Sequence, residues 1–184
     1  MEFLIATSVV ALAEIGDKTQ LLSLVLAARY RKPWPIIAGI TVATLANHAA
    51  AAALGQVVQS YLTPQVLRWV LGLSFLAVAV WTLIPDEIEE SESAAYGYGP
   101  FLATTILFFV AEIGDKTQVA TIVLAARWPS LVLVVIATAL GMLIANVPVV
   151  WLGGKAAERL PMKAIRAVAA SLLAALGVYA LVAG

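Results

Sequence analysis

The stretch AEIGDKTQ at residues 13–20 recurs without a change at residues 111–118, at an offset of 98 positions. Extending the comparison to 13–29 and 111–127 gives 13 identities in 17 positions, including polar and charged ones that an apolar chain rarely matches by chance. Arg68 and Arg166 repeat at the same offset, and Asn47 and Asn146 repeat with one residue of slip. Each half of the chain is therefore predicted to be a copy of the other.

The composition around this repeat is typical of a membrane protein. The chain has 184 residues, of which 62% are hydrophobic and 12% charged, and its mean hydropathy is +0.98. A soluble domain is roughly 45–50% apolar and 25% charged, which argues against disorder and against an ordinary soluble enzyme. The 11 basic residues balance the 11 acidic ones, so no net charge attracts nucleic acid. Cysteine is absent, which excludes disulfides and a thiolate metal site.

The apolar segments predict an all-α polytopic fold with six transmembrane helices. A bilayer core of roughly 30 Å requires about 20 apolar residues per helix, and proline, glycine and charge gather between such segments. The chain is predicted to be a single membrane domain, 1–184, with a first repeat at 1–85, an acidic linker at 86–99 and a second repeat at 100–184. The predicted spans lie near residues 3–28, 34–58, 66–84, 100–126, 130–152 and 163–182.

An odd number of spans in each repeat predicts that the second copy enters the membrane from the opposite side. This 3+3 inverted repeat is the arrangement of many secondary transporters, whose sites lie between the repeats near the bilayer midplane. Seven loop Lys and Arg residues fall on one face and two on the other, which predicts a cytoplasmic linker and both termini outside.

Four acids, Glu14, Asp17, Glu112 and Asp115, fall near the centres of the first and fourth predicted spans. A charged residue at that depth costs roughly 2.5–3.5 kcal/mol, so these side chains are expected to face one another or a water-filled cavity. In a continuous helix, Glu14, Asp17 and Lys18 would share one face with Thr7. Gly16 and Gly114 are predicted to allow close helix crossing or unwinding. The predicted supporting residues are Lys18, Thr19, Gln20, Asn47, Lys116, Thr117, Gln118 and Asn146.

The chemistry of these side chains favours a hard divalent cation. Carboxylate, amide and hydroxyl oxygens suit Ca²⁺, Mg²⁺ or Mn²⁺. Four carboxylates and two ammonium groups sum to −2, which either one divalent cation or two protons would neutralise. This balance predicts cation/proton exchange. The alternative is a structural role, with Glu14–Lys18 and Glu112–Lys116 ion pairs that only hold helices together.

With both motifs in view, the chain resembles the manganese/calcium–proton exchanger family of bacterial manganese exporters and of thylakoid and Golgi calcium/manganese transporters. The family's hallmark is a pair of E-x-G-D-[KR]-[TS] motifs, which residues 14–19 and 112–117 match. The resemblance implies proton-coupled export of Mn²⁺, and of Ca²⁺ as a second cargo, with the motif acids as cation ligands. It also implies a bacterial inner-membrane location.

Several alternatives remain open at the level of sequence. The same acids would serve an exporter of a cationic organic solute such as a basic amino acid, and a structural membrane assembly protein is the other alternative. An intramembrane enzyme is disfavoured because no nucleophile or cofactor motif is present, so neither an enzyme nor a resident cofactor is expected. Asn47 and Asn146 suit either cation ligation or interhelical hydrogen bonds. His48 suits either a proton relay or a packed core position. The preferred cation, the proton stoichiometry and the oligomeric state stay open.

Overall fold

The computed structural model describes residues 1–84, 97–152 and 162–183. These residues form eight helices and no strand, which confirms the all-α prediction. Most of the predicted acidic linker at 86–99 lies outside the described residues. The helices are α1 (Glu2–Glu14), α2 (Lys18–Tyr30), α3 (Pro33–Tyr61), α4 (Pro64–Thr82), α5 (Pro100–Glu112), α6 (Lys116–Arg127), α7 (Leu131–Leu152) and α8 (Met162–Ala183).

Three of these helices, α3, α4 and α7, are long and apolar enough to cross a membrane, and α5 and the stretch 166–182 of α8 are shorter apolar segments. Proline occupies the first turn of α3, α4 and α5. Its fixed φ suits the start of a helix, where the missing N–H has no intrahelical partner.

The first and fourth predicted spans are each broken into two short helices. α1 and α2 have 13 residues each, and they are separated at Gly16, whose φ is +85°. α5 and α6 are separated in the same way at Gly114, whose φ is +76°. Glycine adopts this left-handed conformation without the strain that a Cβ would cause. The prediction of one continuous helical face carrying Glu14, Asp17 and Lys18 is therefore wrong, because the axis is interrupted between these residues.

Close helix crossings occur at glycines outside the two motifs. A Cβ on Gly141 of α7 would collide with the backbone of Thr7 on α1, and a Cβ on Gly39 of α3 would collide with the backbone of Phe101 on α5. A Cβ on Gly114 would meet no atom within 4 Å. The prediction that Gly114 permits a close crossing is thus wrong, and its positive φ explains the residue instead.

Packing follows the repeat in most places. α1 packs on α7 as α5 packs on α3, α3 packs on α7, and α4 packs on α8. Among the described residues, two pairings depart clearly from this symmetry: α4 packs along α6 and α1 contacts α8, whereas the equivalent pairs, α8 with α2 and α5 with α4, have little mutual contact.

The apolar core is divided into two clusters. One cluster gathers side chains of α1, α4, α6 and the first half of α7, including Val9, Phe75 and Leu124. The other gathers side chains of α2, α5 and the first half of α3, including Leu26 and Phe108. The breaks in the two motif helices lie between these clusters, so the polar motif residues are enclosed by apolar packing on both sides.

Candidate functional site

A layer of buried polar side chains surrounds the two helix breaks. It contains all four predicted acids together with Lys116, Asn47, Asn146, Thr19, Thr117 and Gln20. Lys18 and Gln118 of the predicted set are half-buried. The layer also contains residues that were not among the predicted site residues, namely Ser23, Thr44, Thr121 and Thr138.

Each break places its two acids at adjacent helix ends. Glu14 is the last residue of α1 and Asp17 precedes the first residue of α2, while Glu112 and Asp115 hold the same places at the second break. The Asp115 carboxylate accepts a hydrogen bond of 2.7 Å from the backbone N–H of Lys116. A carboxylate at a helix N-terminus is stabilised by the unpaired N–H groups there.

The two motif glutamines stabilise the breaks. The Gln20 side-chain oxygen accepts from the Gly16 N–H at 2.9 Å, and the Gln118 oxygen accepts from the Gly114 N–H at 2.8 Å. The Gln20 amide also donates to the Ala145 carbonyl at 3.1 Å. Both amide oxygens were predicted to support a cation. In the structure they accept from backbone N–H groups that have no intrahelical partner at the break.

Arg166 reaches the first break from α8. Its Nη2 atom donates to the Gly16 carbonyl at 2.6 Å. A guanidinium is well suited to this carbonyl because α1 ends here, and cations are favoured near helix C-termini. The sequence placed Arg166 among the loop cations. Its match to Arg68 at the repeat offset was the one available signal of a more specific role.

Glu14 is contacted from α7 by Asn146, which is itself bonded to Ser23 of α2. Asn146 Nδ2 lies 3.4 Å from Glu14 Oε1, and the Asn146 oxygen accepts from the Ser23 hydroxyl at 2.9 Å. The side-chain oxygen of Asn146 is therefore already bonded to protein. Of the two predicted roles for Asn146, the interhelical hydrogen bond is the one this structure contains.

Glu112 has a different set of neighbours, supplied by α3. The Thr44 hydroxyl donates to Glu112 Oε1 at 2.7 Å. Asn47 Nδ2 donates to the Phe109 carbonyl at 2.9 Å, one turn before Glu112. The two glutamates thus occupy unequal surroundings despite their identical motifs.

An ion pair joins the two repeats at the level of the breaks. Lys116 Nζ lies 2.7 Å from Asp17 Oδ1, and both side chains are buried. The structural alternative considered above pairs residues within each motif, as Glu14–Lys18 and Glu112–Lys116, whereas this ion pair joins the two motifs. Lys18 is instead close enough to Glu112 to interact with it electrostatically.

The acids are neighbours, but they do not form one ligand shell here. Glu14 lies within electrostatic range of Asp17, Asp115 and Glu112. No three acidic or histidine side chains in 1–84, 97–152 and 162–183 stand close enough together to hold a metal ion.

Several buried oxygens around the breaks make no hydrogen bond. They are Glu14 Oε2, Glu112 Oε2, Asp115 Oδ2 and the hydroxyls of Thr19 and Thr117. Buried polar atoms are nearly always bonded, so such a group of unsatisfied oxygens marks a place suited to a cation or a proton.

His48 lies in the same layer on α3. Its Nδ1 atom is 2.9 Å from the Thr138 hydroxyl of α7, while its buried Nε2 atom has no hydrogen-bond partner. The repeat does not supply a second histidine. This placement agrees with a packed, hydrogen-bonded position and leaves one ring nitrogen for a further partner.

Known proteins resemble this chain over most of its length. The family profile described as "Divalent cation/proton antiporter GDT1" matches residues 2–90 and 100–184. The "Putative manganese exporter" of Vibrio cholerae is 59% identical over 169 residues, which cover 91% of this chain and 84% of that protein. "GDT1-like protein sll0615" of Synechocystis is 30% identical over 138 residues, covering 64% of this chain and 66% of the relative. "GDT1-like protein 3" of Arabidopsis thaliana is 28% identical over 148 residues, covering 65% and 50%. No solved structure matches the chain significantly.

Proposed function

The chain belongs to the GDT1 family of divalent cation/proton antiporters, and on that premise we propose that it exports Mn²⁺ from the cytoplasm in exchange for protons, with Ca²⁺ as a second cargo. The observation that carries this proposal is the group of buried carboxylate oxygens without hydrogen-bond partners on Glu14, Glu112 and Asp115. Hard oxygens of this kind suit Mn²⁺ and Ca²⁺. The name of the Vibrio relative favours Mn²⁺. The cation is the cargo, and no resident cofactor or catalysed reaction is needed.

Glu14, Asp17, Glu112 and Asp115 are proposed to ligate the cation, with the Thr19 and Thr117 hydroxyls beside them. Their spacing in this structure means that they must move together around the ion. The two breaks make that movement feasible, since side chains at the ends of short helices shift when the helices tilt. Discontinuous helices with ion sites at their ends are a recurrent feature of secondary transporters.

The proposed architecture is six spans in a 3+3 inverted repeat, with repeats at 1–85 and 100–184. Support comes from the positive φ of both motif glycines and from the equivalent packing of α1 on α7 and α5 on α3. The excess of Lys and Arg on one face supports both termini outside and a cytoplasmic linker in a bacterial inner membrane. Because α4 packs along α6 while α2 and α8 stay apart, the proposed access in this conformation is from the cytoplasmic face.

The experiment is ion flux in proteoliposomes with Mn²⁺, Ca²⁺ and Mg²⁺, with lumenal pH followed at the same time. Mn²⁺ uptake should be accompanied by opposing proton movement, and Glu14→Gln and Glu112→Gln should abolish both. Each change removes a charge and keeps the shape of the side chain. Glu2→Gln is the matched control because Glu2 is an exposed acid at the start of α1.

Wild-type flux in both glutamine variants would contradict the proposed site. Mn²⁺ flux without proton movement would indicate a uniporter or a channel. Arginine transport with opposing proton movement, and no transport of Mn²⁺, would favour the cationic organic solute instead.

A further inference from the structure

A cavity of about 400 Å³ opens between α1, α4, α6 and α8, at the end of the molecule opposite the Lys- and Arg-rich face. Its walls are mainly apolar side chains such as Leu71, Phe75 and Leu124. Two arginines, Arg68 and Arg127, also line it, with Trp128 and Tyr179 beside them.

The charges of this cavity are all of one sign. Among the described residues that line it, Arg68 and Arg127 are the ionisable ones apart from the Tyr179 phenol, and none is an acid. A divalent cation would be repelled there, so the cavity is unsuited to the transported ion. Guanidinium groups bind phosphate through paired, charge-assisted hydrogen bonds. The charge of the cavity therefore fits an anion.

The repeat does not account for this arrangement. Arg166, the counterpart of Arg68, donates to the Gly16 carbonyl at the first helix break. Arg68 instead lines the cavity, where α4 packs along α6. Arg68 and Arg166 therefore have different roles although they are equivalent in the repeat. The cavity lies where the helix packing is asymmetric.

An apolar groove of similar volume extends from the cavity toward the middle of the molecule. The two share Ile5 and Leu176, and the groove continues along α1 and α8 to Leu12 and Leu172. From Ile5 to Leu12 the α1 helix rises about 10 Å. Ser8 is the single polar residue of its lining. The combined space is cationic at one end and apolar along its length.

We propose that this space binds an anionic phospholipid, with its phosphate at Arg68 and Arg127 and one acyl chain in the groove between α1 and α8. The direction of the groove agrees with a lipid in a bilayer, because the arginines lie near a helix end and the tail would extend toward the midplane. Trp128 and Tyr179 suit the interfacial level, where aromatic residues with a polar group concentrate.

The apolar walls decide between a lipid and a soluble anion. Inorganic phosphate would use the two arginines and leave the groove without a function, whereas a phospholipid matches both parts. The bound lipid would contact helices of both repeats and would stabilise the packing of α4 on α6. This inference requires only that the chain lies in a membrane, and it does not depend on which ion is transported.

The test compares lipids with the same acyl chains and different head groups. The delipidated protein in mild detergent is titrated with dioleoyl phosphatidylglycerol or dioleoyl phosphatidylcholine, and binding is followed by native mass spectrometry and by the thermal unfolding midpoint. We expect one phosphatidylglycerol to bind about tenfold more tightly than phosphatidylcholine, because both carry the phosphate but only phosphatidylcholine adds a choline cation, which the two arginines repel. Inorganic phosphate and glycerol phosphate should not bind at these concentrations.

Three variants test which residues bind the head group and which bind the acyl chain. Arg127→Gln should remove most of the preference for phosphatidylglycerol, and because Arg127 is exposed this change should leave folding intact. Leu172→Trp should fill the groove and weaken both lipids while keeping their ratio. Arg29→Gln is the control, since Arg29 holds the position equivalent to Arg127 at the end of α2 and lies outside the cavity.

Equal affinity for the two lipids in the unmodified protein would overturn the proposal. So would an unchanged preference in Arg127→Gln, or binding of glycerol phosphate as tight as that of the phospholipid, which would leave a simple anion site.

Discussion

Lys116 Nζ lies 2.7 Å from Asp17 Oδ1, so the start of α6 is joined to the start of α2 by an ion pair between the two repeats. Their side chains are 2% and 0% exposed. In the proposed site, the Lys116 ammonium group therefore occupies the position beside the Asp17 carboxylate that the transported cation would take. A divalent ion that uses Asp17 has to displace Lys116.

Replacing Lys116 by Gln should make the protein depend on the cation for its stability. Removing one partner of a buried pair costs roughly 3–5 kcal/mol, because the other charge is left uncompensated. Mn²⁺ should restore part of this loss. We expect the ion to raise the thermal unfolding midpoint more in Lys116→Gln than in the unmodified protein.

Lys18→Gln serves as the control for this experiment, since Lys18 is the repeat counterpart of Lys116 and is only half-buried. It should cost less stability and show an ordinary response to Mn²⁺. Equal Mn²⁺ shifts in all three proteins would show that Lys116 and the cation do not compete for Asp17.

Two glycines should respond to substitution for different reasons. Gly114→Ala places a Cβ in open space but at φ +76°, which costs roughly 1–2 kcal/mol. Gly114→Asn should recover much of that loss, because Asn tolerates the left-handed region. Gly141→Ala instead collides with the α1 backbone, and overpacking of this kind costs roughly 1–3 kcal/mol.

The measurement is the thermal unfolding midpoint in detergent, with Gly97→Ala as a neutral control because its surroundings are open and its φ is not positive. A Gly114→Asn variant that is no more stable than Gly114→Ala would contradict the backbone explanation.

The Thr44 hydroxyl should matter for the cation through Glu112. Thr44→Val keeps the shape and removes the donor that orients the Glu112 carboxylate at 2.7 Å. Hydrogen bonds to charged groups are worth about 1.5–3 kcal/mol, so the apparent Mn²⁺ affinity should fall about tenfold or more. Thr41→Val is the control, because the Thr41 hydroxyl bonds to Ile37 within its own helix.

Thr44→Ser should retain the affinity, since serine keeps the donor. If Thr44→Val and Thr41→Val bind Mn²⁺ equally well in a titration, the hydroxyl has no part in the site.

Acid should weaken Mn²⁺ binding. The ligand form of each carboxylate is the deprotonated one, so protons and the cation compete, and binding releases protons. For each proton released, the apparent affinity should fall about tenfold per unit decrease of pH while the site is protonated in the free protein. Titrations between about pH 6 and 8 in buffers of different ionisation enthalpy would measure both the slope and the protons released.

The same titration on Glu112→Gln should give a smaller slope, because one of the titrating groups is gone. An affinity that is independent of pH in the unmodified protein would argue against proton coupling at these acids.

The duplicated octapeptide predicted that both halves share one local structure, and both breaks do have the same backbone form. The sequence did not separate two uses of glycine, since a missing side chain permits both a close crossing and a positive φ. The role of Gln118 was ambiguous for a similar reason, because its amide oxygen serves a cation and a backbone N–H equally well.

Other parts of the site were not predicted as site residues because they are not repeated or not local. Thr44 has Leu143 at its equivalent position, so a search for repeats does not find it. The structural alternative paired Glu14 with Lys18 within one motif, whereas Lys116 reaches Asp17 across the repeats. Contacts between distant segments depend on how helices pack, which local spacing does not determine.

The unequal neighbours of the two glutamates have a kinetic consequence for an exchanger. Glu112 has the Thr44 hydroxyl at 2.7 Å, whereas Glu14 has Asn146 at 3.4 Å. If the repeats exchange conformations during the cycle, the state open to one face of the membrane and the state open to the other differ in free energy. The Michaelis constant for the cation should then differ between the faces. With no driving gradient, the maximal velocities must differ in the same ratio, so that the protein rectifies flux while the ion gradients alone set the equilibrium.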